Sequence, residues 1–152
     1  MDVLTPQQRQ KNMRSIRGRK TKPERIIALG LHSRGYRYRL NVKSLQGSPD
    51  LVFRKHHAII FVHGCFWHGH DCHLFKVPAT RTKFWLEKVD TNKCRDLRNV
   101  QNLLNQGWRI LIVWECALRG RSRLPNHAVM QQCEVFLHSD TKLAEIKGVK
   151  NS

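Results

Sequence analysis

The eleven residues from His63 to His73, HGCFWHGHDCH, restrict this chain more than any other segment. Six of the nine histidines lie between positions 56 and 73, so the clustering is local. The run has too few aliphatic side chains to bury a core of its own, so something other than apolar burial must hold it. Cys65, His70 and Cys72 are spaced C-x4-H-x-C. Thiolate and imidazole are the ligands that tetrahedral zinc prefers, and a closed structural site needs four. Cys116, just past a strongly apolar strand pattern, is the best remote fourth ligand. The alternative is that these are ordinary reduced cysteines. Five cysteines, an odd number, argue against a disulfide framework. Cys94 and Cys133 fall in helical patterns and read as core or surface thiols.

The residues before this run add a second chemistry. Leu51–Phe53 and Ala58–Val62 are short apolar stretches separated by Lys55, His56 and His57, the pattern of a tight antiparallel hairpin. Pairing Arg54 with Ala58 sets Asp50 opposite Val62, and a bulge would shift this by one residue. Asp50 thus arrives beside the start of the histidine-rich run. Its carboxylate suits Mg²⁺, which binds through one or two carboxylates and phosphate oxygens. With the zinc ligands set aside, His63 and His68 remain, and imidazole can move a proton near neutral pH. Carboxylate, divalent cation and imidazoles suffice for phosphodiester hydrolysis. Any single histidine also reads as a surface or packed residue. Phe66, Trp67 and Trp85 suit stacking on bases or wedging between base pairs, and equally suit filling a core.

The remaining pattern describes one α/β domain. A helix is expected over residues 23–34, with Pro23 in its first turn, Ile26, Ile27, Leu29 and Leu31 as an apolar stripe, and Gly35 as its cap. Residues 36–40 alternate as a strand should. Residues 80–106 read as a helix, Arg109–Trp114 as a central strand, and 126–137 as a last helix. Residues 1–22 form a basic arm, expected to be partly helical, and 139–152 a polar tail expected to be disordered. Lys and Arg total 28 against 11 Asp and Glu, a formal net charge of +17. Nucleic acid is the natural partner for so basic a domain. Neither a transmembrane run nor a signal-peptide pattern is present, so a soluble intracellular protein is expected.

Six segments together resemble the very-short-patch-repair (Vsr) DNA mismatch endonucleases: KNMRSIRGR (11–19), PERIIALGL (23–31), GSPDLVF (47–53), IIFVHGCFWHGHDC (59–72), LFKVPATRTKFWLEK (74–88) and GWRILIVWECALRG (107–120). The resemblance covers about residues 9–124. It implies a restriction-endonuclease-like fold, a central mixed sheet flanked by helices with a structural zinc site, in a single domain over 23–138. It implies Mg²⁺-dependent nicking of one strand 5′ to the thymine of a T:G mismatch left by deamination of 5-methylcytosine. By motif, Asp50 and the Val62 backbone carbonyl would hold Mg²⁺, and His63 and His68 would be the catalytic imidazoles. Glu24 would be an acid near the active site, and Asp96 would orient a histidine. Cys65, His70, Cys72 and Cys116 would bind Zn²⁺. Phe66, Trp67 and Trp85 would intercalate beside the mismatch, while Arg14, Arg17, Arg19 and Lys20 would contact DNA. Val62 stands where the family pattern has threonine, leaving only a backbone carbonyl for the metal. The resemblance also implies a monomer in the bacterial cytoplasm, linked to a cytosine-5 DNA methyltransferase and to repair proteins. Two alternatives share these residues: a restriction-type endonuclease cutting matched sites, and an inactive zinc-stabilised DNA-binding module.

Overall fold

The protein, described by a computed structural model over residues 22–149, is a three-layer α/β/α sandwich. Residues 1–21, including Arg14, Arg17, Arg19 and Lys20 of the expected basic arm, lie outside the described residues. The elements in chain order are α1 (Lys22–Ser33), β1 (Arg39–Leu40), β2 (Leu51–Phe53), β3 (Ala58–His63), α2 (Thr82–Asn105), β4 (Arg109–Trp114), α3 (Asn126–Leu137) and β5 (Leu143–Ile146). The sheet runs β1-β2-β3-β4-β5. β1, β2 and β3 pair antiparallel, whereas β3, β4 and β5 pair parallel.

β3 and β4 are continuous apolar runs because helices cover both of their faces. Side chains alternate across a strand, so even and odd positions separate. Ala58, Ile60 and Val62 face α1 and α3, where they meet Ile27, Leu31, Val129, Met130 and Phe136. Ile59, Phe61, Ile110, Ile112 and Trp114 face α2, where they meet Val100, Leu103 and Leu104. This alternation also assigns the last two residues of β3. Val62 belongs to the α1 side and His63 to the α2 side.

α2 has 24 residues and β4 has six. At 1.5 Å per helical residue and about 3.3 Å per strand residue, the helix is roughly 16 Å longer than the strand it covers. Its C-terminal part carries Leu103 and Leu104 over the sheet, and Gly107, with φ +93°, allows the tight turn into β4. The surplus length projects past the C-terminal ends of β3 and β4, and carries Trp85 with it.

Three expectations change. Phe53, not Arg54, pairs with Ala58, and Leu51 pairs with Ile60. Arg54–His56 form a 3₁₀ turn closed by His57 in the left-handed conformation, at φ 54°, which takes Arg54 out of the ladder. Only Arg39 and Leu40 of the alternating 36–40 segment pair as strand. Tyr36 and Tyr38 alternate because both rings pack on Phe53. Finally, Leu143–Ile146, within the segment read as a polar tail, form an edge strand beside β4. Three of its four residues are apolar, but only Ile146 is buried and Leu143 is exposed, as befits an edge strand.

Arg109 at the start of β4 ties three parts of this frame together. Its Nη1 donates to the carbonyls of Phe136 (2.9 Å) and Thr141 (3.3 Å), and its Nη2 to those of His56 (2.9 Å) and Leu137 (3.0 Å). The guanidinium thereby satisfies carbonyls at the end of α3, where the helix leaves them unpaired. Arg109→Met is expected to cost about 3 kcal/mol of stability, since charged hydrogen bonds to buried carbonyls are lost together. Urea unfolding followed by far-UV circular dichroism measures this, and a cost below about 1 kcal/mol would show the guanidinium to be dispensable.

Candidate active site and metal cluster

Two clusters form at the C-terminal ends of β3 and β4, and Trp114 touches both, with His63 at 5.2 Å and His70 at 4.1 Å between ring centroids. The first grows from the alternation in β3. His63 turns toward α2 and stacks face to face on His68, with ring centroids 3.9 Å apart and planes 2° apart. Asp96, on α2, accepts a hydrogen bond from His68 Nδ1. That contact fixes the proton on Nδ1 and leaves Nε2 as the basic nitrogen of His68. Val62 turns the other way, and its backbone N–H donates to Asp50 Oδ2 at 2.7 Å. This contact carries Asp50 to the end of β3 despite the shifted hairpin register.

Electrostatics separates these groups. Burial pushes the Asp50 carboxyl up to about 6, with the Val62 N–H, a hydrogen bond with Glu24 and the His68 charge opposing the shift. Two carboxyl groups, Asp50 and Glu24, therefore sit in contact at the site. His63 is buried, and that burial, followed by the charge of His68, pushes it down to about 3. Its Nδ1 has no hydrogen-bond partner among the described residues. His63, His68 and Asp96 can place donor atoms within 4.8 Å of one another. Parallel stacked imidazoles, however, hold their in-plane lone pairs parallel, whereas a shared ion about 2.1 Å from each nitrogen needs them to converge. The stacked geometry therefore does not suit a shared ion. The trio opens into a cleft of about 390 Å³ lined also by Glu24, Ser48, Asp50, Arg95 and Asn99.

The second cluster comprises Cys65, His70, Cys72 and Cys116, whose ligand atoms all lie within 4.8 Å of one another. Cys65 Sγ and Cys116 Sγ lie 3.6 and 3.5 Å from His70 Nδ1. No disulfide joins the cysteines. The parallel pairing of β3 with β4 delivers Cys65 and Cys116 to the same place, because His63 is in register with Trp114 and each cysteine follows two residues later. Three sulfurs and one imidazole form a donor set compatible with Zn²⁺. Burial raises the Cys65 and Cys116 thiols, so in a metal-free state they are protonated at neutral pH. Backbone amides reinforce the sulfurs: Cys116 N–H donates to Cys65 Sγ and Gly148 N–H to Cys116 Sγ, both at 3.3 Å.

Phe66 and Trp67 project from the loop between these clusters and meet Trp85 on the overhanging part of α2, with centroids 5.7 and 5.8 Å from the Trp85 ring. Trp67 is 47% exposed, so this aromatic group belongs to the surface and not to the core. Several neighbours escaped the sequence reading. Phe84 packs on Trp85 at 5.2 Å and is exposed, and Lys88 lies 5.7 Å over the Trp67 ring. Asn92 Nδ2 donates to the Trp67 carbonyl at 3.0 Å. Glu115 accepts the Cys65 N–H at 3.1 Å and pairs with Arg119 at 2.8 Å. The helical residues could have been found, because 85, 88, 92, 95, 96 and 99 recur at three- and four-residue spacing on one face of α2.

A carboxylate pair, an oriented imidazole and an exposed aromatic group on a very basic chain are the parts of a nucleic-acid hydrolase, that is, a nuclease. Comparison with known proteins specifies the kind. The family described as DNA mismatch endonuclease Vsr matches residues 1–74. DNA mismatch endonuclease Vsr of Escherichia coli (strain K12) is 48% identical over 145 residues, covering 95% of this chain and 93% of that protein. The type II nicking enzyme V.XorIIP of Xanthomonas oryzae pv. oryzae is 44% identical over 117 residues, 77% of this chain and 86% of its own. V.NmeAIP of Neisseria meningitidis, another type II nicking enzyme, is 40% identical over 121 residues, covering 80% of this chain and 86% of its own. The chain belongs to the Vsr DNA mismatch endonuclease family and is a nuclease. A likeness over 145 residues reaches well past residue 124, where the recognisable motifs stop.

The two cysteines outside the cluster differ sharply. Cys94 is exposed on α2, whereas Cys133 is fully buried on α3 and burial pushes its thiol up to about 12. Alkylation proceeds through the thiolate, so at pH 7.5 Cys94 is expected to react with iodoacetamide at least a hundredfold faster than Cys133. Peptide mapping by mass spectrometry checks this, and comparable labelling of both in folded protein would contradict the buried placement.

Proposed function

We propose that this protein nicks one strand of double-stranded DNA, hydrolysing the phosphodiester bond 5′ to the thymine of a T:G mismatch. Deamination of 5-methylcytosine creates such mismatches. One observation carries the reading: a member of the Vsr family sets Asp50, His63 and the His68–Asp96 pair beside an exposed aromatic group at one end of its sheet. The names of its relatives, mismatch endonuclease and nicking enzyme, support it. We take the sandwich to be restriction-endonuclease-like in its ancestry, and the domain to span residues 23–138.

Asp50, with Glu24 in contact and the Val62 carbonyl adjacent, fits Mg²⁺. A carboxyl pushed up by burial beside a second carboxyl is a site where negative charge lacks a cation, and hard oxygen donors are what Mg²⁺ takes. When bound, the ion polarises the phosphate and stabilises charge on the leaving 3′ oxygen. His68 Nε2 takes a proton from the attacking water while Asp96 holds the ring and stabilises the imidazolium that forms. His63, neutral and stacked beneath, keeps His68 in plane and offers a second ring nitrogen to the phosphate. The water oxygen bonds to phosphorus as the bond to the 3′ oxygen breaks, and that oxygen takes a proton from solvent, leaving 5′-phosphate and 3′-hydroxyl ends. Phe66, Trp67 and Trp85 wedge into the duplex, and a mispaired step costs less to unstack. Arg14, Arg17, Arg19 and Lys20 contact phosphates, so affinity falls with salt. Cys65, His70, Cys72 and Cys116 hold a structural Zn²⁺. The protein works as a monomer in the cytoplasm, alongside a cytosine-5 methyltransferase and repair proteins.

A strand-specific assay with end-labelled duplexes and Mg²⁺ tests this reading. A nick 5′ to the mismatched thymine alone is the expected result. His68→Ala and Asp50→Ala should each lower the rate by at least about a hundredfold. Cutting of fully paired DNA would establish a restriction-type enzyme instead, and salt-sensitive binding with no product in any context would establish a binding module.

Metal analysis should find about one zinc per chain, and chelation should unfold the 64–74 loop, since structural zinc contributes folding energy directly. Cys72→Ala should lower Tm by ten degrees or more, as lost zinc affinity becomes lost stability. A zinc-free protein with unchanged Tm would remove the ion from the account.

A further inference from the structure

The catalytic cleft has an unbalanced charge. Among the described residues its lining includes three carboxylates, from Glu24, Asp50 and Asp96, and a single permanent cation, Arg95. Phosphate is anionic, and the proposed Mg²⁺ would offset Asp50 and Glu24, so beyond that ion the cleft needs a protein cation close to the scissile group. Arg95 precedes Asp96 on α2 and enters the cleft from the same helix that holds His68 in place. Its one hydrogen bond among the described residues runs from Nη2 to Asn92 Oδ1, at 3.1 Å. Arg95 is exposed, so its other guanidinium donors are accessible. Asn92 in turn donates from Nδ2 to the Trp67 carbonyl, at 3.0 Å. A continuous chain of two hydrogen bonds therefore joins the exposed aromatic group to the one guanidinium that lines the cleft among the described residues.

We infer that Arg95 is a phosphate-binding residue of the cleavage step, and that Asn92 sets its position relative to the aromatic group. This rests on the nuclease reading above. The guanidinium suits the task because its planar fork offers paired donors to phosphate oxygens and is always charged. Tethering it to the Trp67 backbone has a consequence for specificity. The aromatic group enters the duplex at the mismatch, and the distance from there to Arg95 then selects which phosphate is gripped. Asp96 sits one residue further on, so the phosphate clamp and the support of the general base move as one rigid piece of helix.

The test compares wild type with Arg95→Ala, Arg95→Lys and Asn92→Ala. Single-turnover nicking of a T:G duplex is measured with Mg²⁺, and equilibrium binding with Ca²⁺ in its place at several salt concentrations. For Arg95→Ala, a single-turnover rate lower by about a hundredfold or more is expected, as for other lost contacts to transition-state charge. The slope of log affinity against log salt should become shallower by about 0.9, the signature of one phosphate contact removed. Arg95→Lys should recover part of the rate. Asn92→Ala combined with Arg95→Ala should be no slower than Arg95→Ala alone, because the two act through one contact. A duplex with a neutral methylphosphonate at the gripped position should erase the difference in salt slope between wild type and Arg95→Ala. Nicking within threefold of wild type, or an unchanged salt slope in a variant of unchanged Tm, would overturn the inference. Failure of wild type to nick would sink the nuclease reading instead, and the salt slope would still test the phosphate contact.

Discussion

The parallel pairing of β3 with β4 organises everything else in this protein. Six residues of one strand lie in register with six of the other, from Ala58 with Arg109 to His63 with Trp114. Both strands are buried on both faces, so a slip of one residue would exchange every side chain between two different apolar layers. The register is correspondingly well determined, and it acts at both ends. At the C-terminal end it aligns Cys65 with Cys116 and His63 with Trp114. At the N-terminal end it places Arg109 where one guanidinium can satisfy carbonyls from α3, from the β2–β3 turn and from the approach to β5. The Cys/His cluster and the stacked histidines are thus two outcomes of a single strand pairing.

The alternation of side chains explains how so short a segment serves two sites without confusing them. Val62 and His63 are adjacent in sequence and point to opposite layers. One meets Asp50 on the α1 side, and the other meets His68 and Asp96 on the α2 side. Asp50 reaches the first by accepting the backbone N–H of Val62, a contact that any residue at position 62 can make. The side chain at position 62 therefore does not decide the arrangement of Asp50: the donor is the main chain.

Local chemistry made most of the site legible in the sequence, and long-range geometry hid the rest. Cys65, His70 and Cys72 announce themselves through spacing, and Cys116 through its place after an apolar strand. Asp50 could be found from hairpin arithmetic even though the register was off by one, because Oδ2 reaches the neighbouring residue's amide. The turn itself was not legible. His57 adopts a left-handed conformation at φ 54° with no glycine to signal it. β5 was missed because an edge strand buries one face of a few residues, and only Ile146 is fully inside. Tyr36 and Tyr38 gave a true alternation from the wrong cause, since aromatic packing on Phe53 imitates a paired strand. Lys88, Asn92 and Arg95 are polar residues on a helix of ordinary appearance. Nothing distinguishes them until Trp85 and Asp96 are known to face the site, after which helical spacing identifies the face.

The length of α2 turns these separate pieces into one apparatus. A helix matched to the strands would end where the sheet ends, and the aromatic group would then have no support beyond the loop that carries Phe66 and Trp67. Because α2 overruns the sheet, a single rigid element bears Trp85 near one end, Asn92 and Arg95 in its middle and Asp96 beside them. Its C-terminal half is anchored by Val100, Leu103 and Leu104 in the core. Helices resist bending over such distances, so the spacing between the aromatic group and the His68–Asp96 pair is set by helical geometry and not by a mobile loop. The proposed cut at a set distance from a mismatch needs a ruler of this kind. Here the ruler is covalently continuous with Asp96, the residue that orients His68.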